Sequence, residues 1–206
     1  MENESKKPKT VEKLDNFPFK DFSEFKKSNI EGVAHVGVDR AVALQWAQNG
    51  IYCPSWLRYY ALFLALLPFL AAIGFIIYSI ISGSWLLLLA LPILLIAFFI
   101  FHPSSAMIFG PIRTGFIGLT FIGLIYSFFS DKPWLLAITL TLIIIWWAQK
   151  TIYRKAINNL IATVQKHEDL LCILWQGKAL NIEFFNGNRY WVDWKLEDGK
   201  HIHYKE

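Results

Sequence analysis

Apolar side chains run almost without interruption from Trp56 to Lys150, and polar positions gather at the two ends of the chain. Before Lys150 the charges in that block are Arg58, Arg113, Asp131 and Lys132. An amphipathic helix of a soluble domain keeps a polar face, and these segments have none. The pattern predicts membrane helices, each needing about 20 apolar residues to cross a hydrocarbon core ~30 Å thick. Four segments qualify, at about 58 to 82, 85 to 101, about 114 to 129 and 134 to 150. Ser82-Gly83-Ser84 and Ser130-Asp131-Lys132-Pro133 read as tight turns, which makes two hairpins. Residues 102 to 114, HPSSAMIFGPIRT, are polar at the ends and rich in Pro and Gly, so they read as a loop at the membrane surface or dipping into it.

Within the spans, Pro68 and Pro92 each remove a helical donor and can bend the helix. Gly115, Gly118, Gly123 and Ser127 make a small-residue surface on the third helix, suited to the close approach of a helix from this chain or another. The polar groups Tyr78, Ser79, Thr120, Tyr126, Ser127, Thr139 and Thr141 can satisfy themselves on helix carbonyls. No ionisable residue falls at mid-membrane, which argues against a proton-coupled or ion-coupled mechanism within one chain.

Outside the block, residues 1 to 37 form a polar segment whose first 16 read as mobile. Phe19, Phe22 and Phe25 are spaced three apart and can share one side of a short helix. Within 38 to 56, Asp39 is placed as an N-cap, Val38, Val42 and Trp46 recur at four, and Asn49-Gly50 ends the pattern. Tyr52, Pro54, Trp56, Tyr59 and Tyr60 then crowd the approach to the bilayer, where aromatic rings are favoured. The transmembrane domain is expected at 57 to 150 and a cytoplasmic helix with a small sheet at 151 to 206. Tyr153, Ala156, Ile157, Leu160, Ile161 and Val164 form that helix's apolar stripe.

Segments 170 to 175, 179 to 185, 189 to 196 and 200 to 205 then read as a four-stranded antiparallel meander. Three-residue loops set Cys172 opposite Ile182, Leu174 opposite Leu180, Phe184 opposite Tyr190 and Trp194 opposite Ile202, with Gly199 left-handed. The fold class expected is therefore a membrane all-α domain of four transmembrane helices with a C-terminal cytoplasmic α+β extension.

Charge sets the orientation. With both termini inside, the inner flanks hold Arg58, Arg113, Lys150, Arg154 and Lys155, while the outer turns hold Lys132 beside Asp131. Cations stay on the cytoplasmic side, so both ends are expected in the cytoplasm of a cell membrane. The net charge of +4 is spread thinly and makes no basic patch for nucleic acid. Cys53 and Cys172 form no CxxC and no metal spacing, and read as small apolar residues in a reducing compartment.

No HExxH, GxxxxGKS, GxGxxG or CxxC pattern occurs, so neither a catalytic residue nor a cofactor is assigned. His201, His203 and Asp193 could together ligate zinc, but the polar side of a sheet explains them as well. Arg113 is an inner-face anchor, or with His102 an anion or lipid-headgroup contact. Trp191 shares the polar face with Glu183, Asp193 and Lys195, with His203 opposite Asp193; a large aromatic among charges suits a protein interface, and packing on the N-terminal segment accounts for it equally. The partners expected are membrane lipids and another protein or a second copy. The leading expectation is a non-catalytic accessory or assembly protein. A small oligomeric transporter or channel, and a lipid-headgroup-modifying enzyme, are the alternatives.

Overall fold

The computed structural model describes residues 10–83, 85–101, 106–130 and 132–204. Among them the chain forms, in order, α1 (Phe22–Ile30), β1 (Ala34–Val38), α2 (Arg40–Asn49), α3 (Ser55–Ile81), α4 (Leu91–Phe101), α5 (Ala106–Phe129) and α6 (Pro133–Val164). After these come α7 (Glu168–Gln176), β2 (Leu180–Phe184), β3 (Arg189–Tyr190), β4 (Trp194–Glu197) and β5 (Lys200–His203). The chain divides into two compact units, an apolar one of residues 54–156 and a polar one made of residues 1–53 and 157–206.

In the apolar unit, α3 and α6 are long and apolar enough to cross a membrane. The second apolar segment begins as a 3-10 helix, Trp85–Ala90, and continues as α4. Pro92 is the second residue of α4, so its missing N–H falls where the 3-10 helix gives way to the α-helix. A 3-10 helix rises ~2.0 Å per residue against ~1.5 Å for an α-helix, so this short segment reaches about 28 Å. Pro68, by contrast, is interior to α3 and buried. The loop expected at 102 to 114 is corrected in part: α5 begins at Ala106 and continues through Gly110 and Pro111. Residues 102–105 lie outside the described residues.

A shared core joins these helices, with Phe75 from α3, Leu94, Ala97 and Ile100 from α4, and Leu142 and Ile145 from α6. The hydroxyls behave as their spacing implied. Ser79 donates to the Phe75 carbonyl at 2.8 Å, Thr120 to Phe116 at 2.8 Å, Ser127 to Leu124 at 2.6 Å and Thr141 to Ala137 at 2.8 Å. Thr139 is shared between the carbonyls of Leu135 and Leu136. None of them needs a partner outside its own helix.

The polar unit departs further from expectation. Its first nine residues lie outside the described set; from Thr10 onward Val11, Leu14 and Phe19 are buried, and the Val11 N–H donates to Glu168 Oε1 at 2.9 Å. Asp21 caps α1 by accepting from the Glu24 N–H at 2.8 Å, and Glu24 in turn accepts from the Lys20 N–H at 2.8 Å. That places Phe25 in the core, within ring contact of Phe17, Phe19 and Phe22. Asp39 caps α2 as read, taking the Ala41 and Val42 N–H groups at 2.8 and 3.1 Å. Gly50 ends α2 as read, and its lack of a side chain lets the Trp46 indole lie against it, where a Cβ would fall 2.0 Å from Cδ1.

The meander is five strands in the order β1-β2-β3-β4-β5, all antiparallel. Residues 170 to 175, expected as its first strand, are part of α7, which buries Leu170, Leu171, Cys172, Leu174 and Trp175. Leucines at spacings of one, three and four satisfy a helix as readily as a strand, and Glu168 and Asp169 suit a helical first turn. The strand that replaces it comes from the other end of the chain, β1, with Ala34 opposite Phe184 and Val36 opposite Ile182. The sheet therefore joins residues before the apolar block to residues after it.

Candidate interaction surface

The outer part of the sheet is built by two turns that the apolar pattern did not foresee. Residues 189 to 196 are not one strand. The chain folds back at Val192-Asp193, where the Trp191 N–H donates to the Trp194 carbonyl at 2.8 Å. The second turn is Asp198-Gly199, with φ of 49° and 74°, closing β4 on β5 in two residues. This Asp-Gly pair is the two-residue hairpin signal, and it prevailed over the apolar pairing that favoured a three-residue loop. Gly199 is left-handed as expected. The first hairpin keeps a three-residue loop, but it is Phe185-Asn186-Gly187, so Ile182 rather than Phe184 faces Tyr190.

Moving a register by one residue exchanges the two faces of a strand. Trp194 consequently pairs with His203 instead of Ile202 and stands on the outer face, while Lys195 pairs with Ile202 on the inner one. The result is an aromatic stack. The Trp191 and Trp194 rings lie 3.7 Å apart and 9° from parallel, and His201 and His203 sit 5.0 and 6.4 Å from Trp194.

Of the residues proposed for partner contact, Trp191 and His203 are thus brought together through Trp194, which the expected pairing with Ile202 would have set on the opposite face. Asp193 lies at the turn and is ion-paired with Lys178 at 2.9 Å; hydrogen bonding to that ammonium holds its carboxyl below the usual range. Lys195 is elsewhere, ion-paired with Glu197 beneath Tyr190. The hydrogen bond to Glu197 raises the Lys195 pKa, and the same bond lowers that of Glu197. Burial, followed by the Glu197 charge, pushes the Tyr190 hydroxyl up.

Among the described residues the sheet ends at β1 and β5, and all four residues of β5 are exposed. The Tyr204 N–H donates to the Asp193 carbonyl at 3.0 Å. Bonded and non-bonded pairs alternate along an antiparallel ladder, so Ile202 bonds inward to Lys195 while the backbone groups of His201 and His203 point away from the sheet. Comparison with protein-family models, with curated proteins and with solved structures finds no match. The arrangement has to be understood from its own chemistry.

Among the described residues no three His, Cys, Asp or Glu side chains converge as a metal site would require. His102 lies outside the described residues, and Arg113 is placed only as a backbone position on α5. The small-residue surface divides. A Cβ on Gly123 would lie 3.0 Å from Thr139 Cγ2, so α6 fills that end, whereas a Cβ on Gly115 or Gly118 would meet nothing within 4 Å. Cys172 is fully buried and burial pushes its thiol up to about 11, which leaves it protonated and unreactive at neutral pH.

Proposed function

We propose that this chain is a multi-pass integral membrane protein of the cell membrane, with four crossings, both termini in the cytoplasm, and a non-catalytic accessory or assembly role. The polar unit is the part that meets a partner. The even number of crossings is supported by the pairing of β1 with β2, because strands from before and after the apolar block can share one sheet only on one side of a bilayer. The lysine and arginine distribution makes that side the cytoplasm.

The observation that carries the interaction role is the open edge of β5 beside the Trp191–Trp194 stack. An unpaired edge supplies main-chain donors and acceptors for an added strand, and the neighbouring aromatic surface supplies contact area. The partner is thus a protein that adds an extended segment along His201 and His203.

His201→Pro tests this. Proline there removes an outward N–H and leaves the inward ladder bonds in place, as edge strands tolerate. In mild detergent the wild-type protein is expected to co-purify with a partner that His201→Pro and Trp191→Ala lose, with both variants keeping the wild-type melting transition. A wild-type protein that purifies alone, or variants that retain the same partner, would refute the reading.

A further inference from the structure

Within the apolar unit a cavity of about 630 Å³ opens between α3, α4 and α6. Its walls include Pro68, Phe69 and Ala72 of α3, Pro92 and Leu95 of α4, and Ile145 of α6. The seam between α5 and α6, at Phe121 and Trp146, has no room for even a water-sized sphere.

This cavity resists closing from its own walls. Two prolines and an alanine have no rotamer that would reach into it. Phe98 is held by ring contacts to Phe69 at 5.5 Å and Phe99 at 5.9 Å. The size is that of a preformed ligand site, on the order of 300–1,000 Å³. Among the described residues that line it there is no hydrogen-bonding side chain, so these walls offer nothing to water or to a polar headgroup. Exposed Phe69, Leu95 and Phe99 form its mouth, which opens on the surroundings of the unit.

From this geometry we infer that the cavity binds a single hydrocarbon chain of a membrane lipid, admitted sideways between α3 and α4 while the headgroup stays outside. The inference rests on the reading of the apolar unit as embedded in a bilayer. Pro68 and Pro92 then have a joint purpose, as rigid walls that keep the slot from collapsing when the chain leaves.

The full protein, reconstituted in phosphatidylcholine vesicles carrying a diazirine near the end of one acyl chain, is irradiated and its crosslinked peptides are mapped by mass spectrometry. Crosslinks to residues 68–72 and 92–99 are expected to exceed those to the exposed Leu119 and Ile122 of α5 severalfold. Ala72→Phe fills the slot and is expected to cut the cavity crosslinks severalfold, leaving those on α5 unchanged; Ala72→Leu gives an intermediate loss. Equal labelling of cavity and α5 in all three proteins, meaning surrounding lipid only, overturns the inference. So does an unlabelled cavity beside a labelled α5, or a cavity occupied by a second copy. Absence of label on α5 itself removes the membrane reading and this inference with it.

Discussion

The two units use the same side chains in opposite ways. In the polar unit Trp175 is 0% exposed, its Nε1 donates to the Asp15 carbonyl at 3.0 Å, and Phe17 meets its ring edge-on at 5.0 Å. In the apolar unit α3 keeps a narrow stripe of Leu57, Ala61, Leu64, Pro68, Phe75 and Ser79 inside. It turns Leu62, Phe63, Phe69, Leu70 and Ile73 outward, each more than half exposed. A soluble monomer rarely shows a contiguous apolar patch above a few hundred Å². What distinguishes the units is therefore where they put large side chains, inward in the polar unit and outward on α3, as the membrane reading proposed above expects.

Truncation should break this symmetry most plainly. Trp175→Ala is expected to destabilise the polar unit by about 3–5 kcal/mol, while Leu70→Ala in α3 changes stability by less than about 0.5 kcal/mol. Denaturant titration in detergent, followed by near-ultraviolet circular dichroism, measures both. Adding a methyl group sharpens the contrast. Gly50→Ala drives a Cβ into the Trp46 indole and should cost about 1–3 kcal/mol, whereas Gly74→Ala in α3 meets nothing within 4 Å and should be neutral or stabilising. Thermal melts of the two variants decide it. Asp39→Ala removes the cap of α2 and should cost about 1 kcal/mol, read in the same melts.

The smallest effect is one of pH. Asp193 and Glu197 have folded-state pKa values below their unfolded ones. Their contribution is present above the ordinary carboxylate range and fades as pH falls through the lowered folded values. Both pairs are partly exposed and screened, so the loss is slight and falls on the β3–β5 hairpins and their tie to Lys178. Backbone hydrogen exchange of Trp191 and Tyr204 should rise in acid, relative to intrinsic rates, before that of Leu171 or Leu180 does.

The apolar segments and the caps at Asp39 and Gly50 were legible because each depends on neighbours in sequence. Ser79, Thr120 and Thr141 were legible for the same reason, since their acceptors lie four residues back. The sheet was not. β1 is five residues of moderate pattern, and its pairing with β2 is a contact across the whole apolar block that no local period records. Residues 170 to 175 were misread because a short apolar run suits helix and strand alike. The outer face was misread because one turn, Asp198-Gly199, sets the register of the last hairpin and thereby moves Trp194 from the inside to the outside. Its Asp-Gly signal was in the sequence and outweighs apolar matching when the strand is an edge with little to bury.

In the topology proposed, both ends of the chain meet on one side of a membrane crossed four times. Cysteine labelling with a membrane-impermeant maleimide tests it, in a background where Cys53 and Cys172 are replaced by alanine. Ser28→Cys, Ser104→Cys and Lys200→Cys are predicted to react only after the cells are permeabilised, and Ser82→Cys and Lys132→Cys to react in intact cells. Labelling of Ser28→Cys and Lys200→Cys from opposite sides, or of Ser104→Cys from outside, would contradict it.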